Sequence, residues 1–92
     1  MIEYRTEDRT YNILPKEHLT LLTPKAYLWW FMTHNKDKVG VFSDSHRITS
    51  KIICRSETTL GRFLQELMEE NIIRRMMRNC YMVLKDYPTF YE

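Results

Sequence analysis

The amino-acid sequence predicts a small α+β fold in which a pair of helices precedes a β-hairpin, and three observations predict it. First, the stretch that opens SETTLGRFLQEL at Ser56 gathers Leu60, Phe63, Leu64, Leu67 and Met68 on one side of a helical wheel, with Thr58, Arg62, Gln65 and Glu69 opposite. Second, Ile48, Ile52 and Ile53 recur at helical spacing immediately upstream, leaving Cys54 and Arg55 as a tight connection. Third, Ile72 to Met77 and Cys80 to Leu84 read as two strands joined by the polar tip Arg78-Asn79.

A chain of 92 residues buries one modest core, so a single folded unit is expected at 23–85, with an arm at 1–22 and an aromatic tail at 86–92. Hydrophobic content of 43% and charged content of 28% suit a globular protein rather than a disordered one. With no long apolar run, the reading is a cytoplasmic protein that does not enter a membrane. Cys54 and Cys80 lack metal-ligand spacing and suit a reducing compartment, so neither a metal site nor a disulfide is expected.

The net charge of +2 says less than its distribution. Residues 1–46 carry equal numbers of acidic and basic side chains, whereas 47–85 carry eight Lys/Arg against four Glu. The excess positive charge therefore lies on the helical pair and hairpin, where a phosphate-binding surface would need it. A solvated basic face is the simpler explanation of the same pattern.

Residues 1–14 alternate loosely, as a short strand or an extended arm, with a charged break at Glu7, Asp8 and Arg9. Lys16 to Leu22 is compatible with a helical turn. Thr23-Pro24 is a helix start, because threonine caps exposed N–H groups and proline suits the first helical position; the helix should reach about His34. Its run Ala26 to Met32 leaves only a narrow polar sector at Thr33 and His34, so it needs cover all round. The N-terminal arm, the aromatic tail or another subunit would supply that cover; a homodimer is the preferred reading, with Trp29, Trp30, Phe31, Tyr87 and Phe90 at its interface. Val39 to Phe42 has strand character, Asp44 to Ile53 should form a short helix, and Ser56 should cap the next. Asn71 is a candidate left-handed cap after that helix.

The order arm, helix, strand, helix, helix, strand, strand is that of a winged helix-turn-helix with a small antiparallel sheet. From Thr23 to Asp86 the chain resembles the winged-helix domain of RepL-type plasmid and phage replication initiators, through RSETTLGRFLQELMEENIIRR and RNCYMVLKDYPTF. Asn71 stands where a glycine usually precedes the wing, and Cys80 where one usually ends its tip. The resemblance implies a protein that binds double-stranded DNA as a transcriptional regulator or replication initiator.

On that footing Thr58, Thr59, Arg62 and Gln65 would face the bases of the major groove. Arg47, Lys51 and Arg55 would fix phosphates, and Arg74, Arg75, Arg78 and Asn79 would set the wing on the flank. Glu66 and Glu69 restrict base contact to the first two turns. Each residue has a plainer role open to it: Arg62 can pair with Glu66 at i,i+4, and the wing arginines can simply protect an edge. A module for protein assembly, docking through the apolar helix and tail, is the alternative to DNA reading. No glycine-rich loop, metal cluster or paired nucleophile and base suggests catalysis, and no cofactor is expected.

Overall fold

A side-chain oxygen begins each of the three helices given below for the computed structural model, which describes residues 2–15, 18 and 21–88. Thr23 accepts from the Ala26 N–H at 3.2 Å and opens α1 (Pro24–Asn35). Ser45 accepts from Ile48 at 3.2 Å and opens α2 (His46–Ile53), and Ser56 accepts from Thr59 at 3.1 Å and opens α3 (Glu57–Glu69). The helix expected from Asp44 thus starts two residues later, because Asp44 is engaged elsewhere. Its carboxylate accepts from Arg9 Nη1 at 3.1 Å, from the Tyr11 hydroxyl and from the Ser45 N–H at 2.8 Å.

Cys54 ends α2 at φ 59°, and this left-handed turn returns its own N–H to Lys51 and that of Arg55 to Ser50. Asn71 adopts φ 59° after α3 and lets Ile72 N–H reach the Leu67 carbonyl at 3.0 Å. Asn79 adopts φ 59° at the tip between β4 (Ile73–Met77) and β5 (Cys80–Val83). Asparagine tolerates this region better than most residues, so Asn71 and Asn79 hold it at modest cost.

Two antiparallel sheets accompany the helices among the described residues. One joins the short strand β3 (Val41–Ser43) to the hairpin of β4 and β5 in the order β3-β5-β4. The strand expected at Val39 begins two residues later because Asp37 Oδ1 holds the N–H groups of both Val39 (3.0 Å) and Val41 (2.9 Å) in a turn completed by Gly40 at φ 91°. A register shift between Arg75 and Met77 places Met76 as an extra residue in β4, and both methionines remain exposed. The other sheet is a hairpin of β1 (Ile2–Arg5) and β2 (Thr10–Ile13).

The stretch expected as a short strand or an extended arm is this two-stranded hairpin, and it joins the core. Tyr11 and Leu14 are buried in the same core as Leu28, Phe31, Met32, Leu60, Leu64, Leu67, Ile73 and Tyr81. Phe31 lies between the rings of Tyr11 (5.7 Å) and Phe42 (5.6 Å). Each fully buried side chain of this size contributes about 1.5–3 kcal/mol. Arg9 locks the hairpin down, donating to the carbonyls of Ser43 and Asn35, both at 2.7 Å, as well as to Asp44. The helical turn expected at Lys16 to Leu22 falls largely on residues outside those described, as does the tail from 89 onward. No helix among the described residues is long and apolar enough to cross a membrane.

His34 ends the apolar run of α1 with its ring 4.4 Å from that of Trp30. Burial holds its pKa below the ordinary histidine value, against a weaker raising effect from Asp86. The unfolded chain then binds a proton more readily than the folded one, so His34 contributes no penalty above an ordinary pKa of about 6.5 and destabilises the fold as pH falls through and below it. The urea midpoint is expected to drop between pH 7.5 and pH 5, and a His34→Gln variant should show a smaller drop. Equal drops in both proteins would assign the effect to other groups.

Candidate nucleic-acid interface

The exposed face of α3 is built by its cap and its register. Ser56 also donates to Thr59 Oγ1 at 3.1 Å, so the Thr59 hydroxyl is engaged within the first turn while Thr58 is exposed. Arg62 and Gln65 continue that face, both exposed. The Arg62 side chain is 68% exposed, reaches Glu66 only at 3.9 Å and lies 5.6 Å over the Phe63 ring. This exposed pair is loose and contributes little.

The acidic end of α3 turns elsewhere. Lys25 Nζ of α1 meets Glu66 at 3.2 Å and Glu70 at 2.7 Å, while Glu69 accepts from Gln65 at 3.3 Å. These carboxylates raise the Lys25 pKa, the bond to Glu70 having the largest effect. The face therefore loses positive character after Arg62, as the positions of Glu66 and Glu69 in the sequence anticipate.

Gly61 belongs to this face, three residues after Thr58 and four before Gln65, and sequence reasoning missed it. A Cβ added there would meet nothing within 4 Å. A glycine inside a helix costs about 1 kcal/mol relative to alanine, and no packing within the described chain requires it. Its absent side chain leaves a bare patch of helix between Thr58, Arg62 and Gln65, over which another molecule can approach the backbone closely. The detectable signal was a helix-breaking residue inside a strongly amphipathic segment.

Beside α3 lies a polar cleft of about 260 Å³, lined by Ser45, His46, Arg47, Glu57, Arg75, Arg78 and Asn79. Its walls come from the start of α2, the first turn of α3 and the β4–β5 hairpin. The Asn79 carbonyl accepts from the Asp44 N–H at 3.1 Å, which ties the tip of that hairpin to the entrance of α2. His46 Nε2 lies 3.2 Å from the Tyr81 hydroxyl with the two rings stacked. Burial raises the Tyr81 pKa, so the hydroxyl keeps its proton at neutral pH. Among the described residues Arg47, Arg75 and Arg78 form no ion pair, although Glu57 shares the cleft. Three guanidinium groups without carboxylate partners in one cleft can offer paired donors to a phosphate or carboxylate.

The remaining candidates lie outside this cleft. Lys51 and Arg74 are exposed without lining it. Arg55 donates to the Cys54 carbonyl at 2.8 Å and borders a separate, mostly apolar cleft with Leu22, Pro24, Tyr27, Ile52 and Ile53.

Of the residues expected at a dimer interface, those that are described pack within one chain. Trp30 is 5% exposed and Phe31 fully buried, so neither has surface left for a second copy. The physical reason is that β2, β3 and the other two helices pack against α1, which a helical wheel taken alone does not reveal. Trp29 is half-buried, donating to the Lys85 carbonyl at 2.8 Å and meeting Tyr87 edge to face at 4.9 Å. The tail is held further by the Tyr87 N–H on Thr33 at 2.9 Å and by Lys36 on Asp86. Phe90 lies outside the described residues.

Cys54 is exposed and Cys80 half-buried, both as free thiols, with Cys80 Sγ 3.2 Å from Ser43 Oγ. Among the described residues no three His, Cys, Asp or Glu side chains gather as a metal site. No family model, curated protein or solved structure matches this chain.

Proposed function

We propose that this chain is a winged-helix DNA-binding protein, acting as a transcriptional regulator or replication initiator, that reads duplex DNA with α3 and clamps the adjacent backbone with its wing. The observation that carries the reading is the cleft in which Arg47, Arg75 and Arg78 converge without carboxylate partners beside the exposed Thr58-Gly61-Arg62-Gln65 face. The sheet order β3-β5-β4 and the sequence of helices agree with it. In this mechanism the first two turns of α3 enter the major groove. Arg62 is long enough to bond a guanine edge in bidentate fashion, Gln65 suits adenine, and Thr58 offers a methyl to thymine. The wing arginines hold phosphates and so fix the register of the reading helix.

The test begins with selection of duplexes from a random pool and compares Arg62→Ala with Gly61→Ala on the selected site. Arg62→Ala should weaken that site by about 1–3 kcal/mol while scarcely changing binding to unrelated duplex. Gly61→Ala should raise the stability of the free protein by up to about 1 kcal/mol yet weaken the complex, because the new methyl lies between helix and groove. No enrichment of any sequence, or a Gly61→Ala protein that gains stability and binds as well as the original, would defeat the assignment of this face.

A further inference from the structure

The first hairpin has one closed edge and one open edge. At the closed edge Asn35 Oδ1 accepts from the Asn12 N–H at 2.8 Å, and Asn35 Nδ2 donates to the Asn12 carbonyl at 3.0 Å. One side chain of α1 thus stands where a third strand would. Backbone groups in an antiparallel strand point alternately to its two sides, and Asn12 is paired across the hairpin with Glu3. Since Asn12 points away from β1, Glu3 points its N–H and C=O away from β2, and Arg5 does the same two residues later. No described residue outside the hairpin bonds to these groups.

Every residue of β1 is exposed. Ile2 and Tyr4 remain 48% and 43% exposed even though the Tyr4 ring lies beside that of core Tyr11, at 6.4 Å. Glu3 and Arg5 occupy the opposite face, 3.8 Å apart. The edge therefore offers outward backbone groups at two positions of opposite charge, with apolar side chains between and beneath them.

We propose that β1 pairs antiparallel with β1 of a second copy of this chain, about a two-fold axis through Tyr4. Within β1 only Glu3 and Arg5 present outward backbone groups, so a symmetric pairing of this strand must set Glu3 against Glu3, Arg5 against Arg5, or Glu3 against Arg5. The first two oppose like charges. The third makes two charge-complementary pairs by symmetry, each exchanging two backbone hydrogen bonds, and brings the two Tyr4 side chains together. Two short hairpins then become one continuous four-stranded sheet. Strands this short bury little area, so the dimer is weak and depends on concentration.

Sedimentation equilibrium of the full chain from about 1 μM to about 1 mM tests this in the absence of DNA, independently of any duplex binding. The variants are Glu3→Arg, Arg5→Glu and the exchange of both together, with circular dichroism confirming the fold of each. The original chain should show a monomer–dimer equilibrium. Each single variant should raise its dissociation constant by about tenfold or more, since symmetry creates two like-charge oppositions, and the double exchange should restore it. A chain that stays monomeric throughout, a dimer indifferent to the single changes, or a double exchange without recovery would each overturn the proposal. Pairing only with a strand of another protein would appear as the first of these results.

Discussion

Replacement of Asn35 by alanine is expected to lower the stability of the protein by about 3 kcal/mol, near the upper end of what single hydrogen-bonding side chains contribute. Asn35 is 7% exposed and commits its amide to Asn12 in both directions, with a further bond from Nδ2 to the Phe31 carbonyl at 2.8 Å. Truncation leaves the Asn12 N–H and C=O without partners at a half-buried edge, and it opens the hairpin on its second side. In a domain of this size the loss should lower Tm by roughly 10–25 °C. Asn35→Asp keeps the acceptor for Asn12 N–H but sets a buried carboxylate oxygen against the Asn12 and Phe31 carbonyls, so it should cost at least as much as alanine. Thermal unfolding monitored by tryptophan fluorescence, at matched concentration, measures all three. An alanine variant within 1 °C of the original would show that the amide is replaceable by water.

Removal of all three cleft arginines, as Arg47→Ala, Arg75→Ala and Arg78→Ala together, should weaken duplex binding roughly a hundredfold at about 0.1 M salt, whatever the sequence of the duplex. The plot of log affinity against log salt should become shallower by about 0.9 for each phosphate that the variant no longer neutralises. Stability should hardly change, because none of the three arginines forms an ion pair among the described residues. A matched control changes Lys51, Arg55 and Arg74, which do not line the cleft. It removes the same charge and should have a distinctly smaller effect. Equal losses in the two triple variants would mean that overall charge, and not the cleft, holds the backbone.

The local grammar of the chain was legible in its sequence because the chemistry is local. Thr23, Ser56 and the left-handed Asn71 act on backbone groups a few residues away, and the structure places each in the expected role. The long-range devices were not legible. Arg9 read as part of a charged break, yet it joins Asn35, Ser43 and Asp44, partners 26 to 35 residues away. Nor does the sequence show that Asn35 reaches back 23 residues to Asn12. The apolar run of α1 showed how much cover the helix needs but not which of arm, tail or second subunit supplies it; Trp30 and Phe31 are buried in a core shared with β2, β3 and the other two helices. For the candidate interface, the arginines were individually visible. Their division into one cleft with Arg47, Arg75 and Arg78 and an outlying set with Arg55 required the fold.

The anchoring of the first hairpin also sets an order of events during synthesis. β1 and β2 emerge from the ribosome before any residue that holds them: Asn35 follows Asn12 by 23 residues, and Asp44 follows Arg9 by 35. An isolated two-stranded hairpin is at best marginally stable in water. The hairpin is therefore made before the residues that secure it, and until Asn35 has cleared the exit tunnel the nascent chain carries both hairpin edges uncapped.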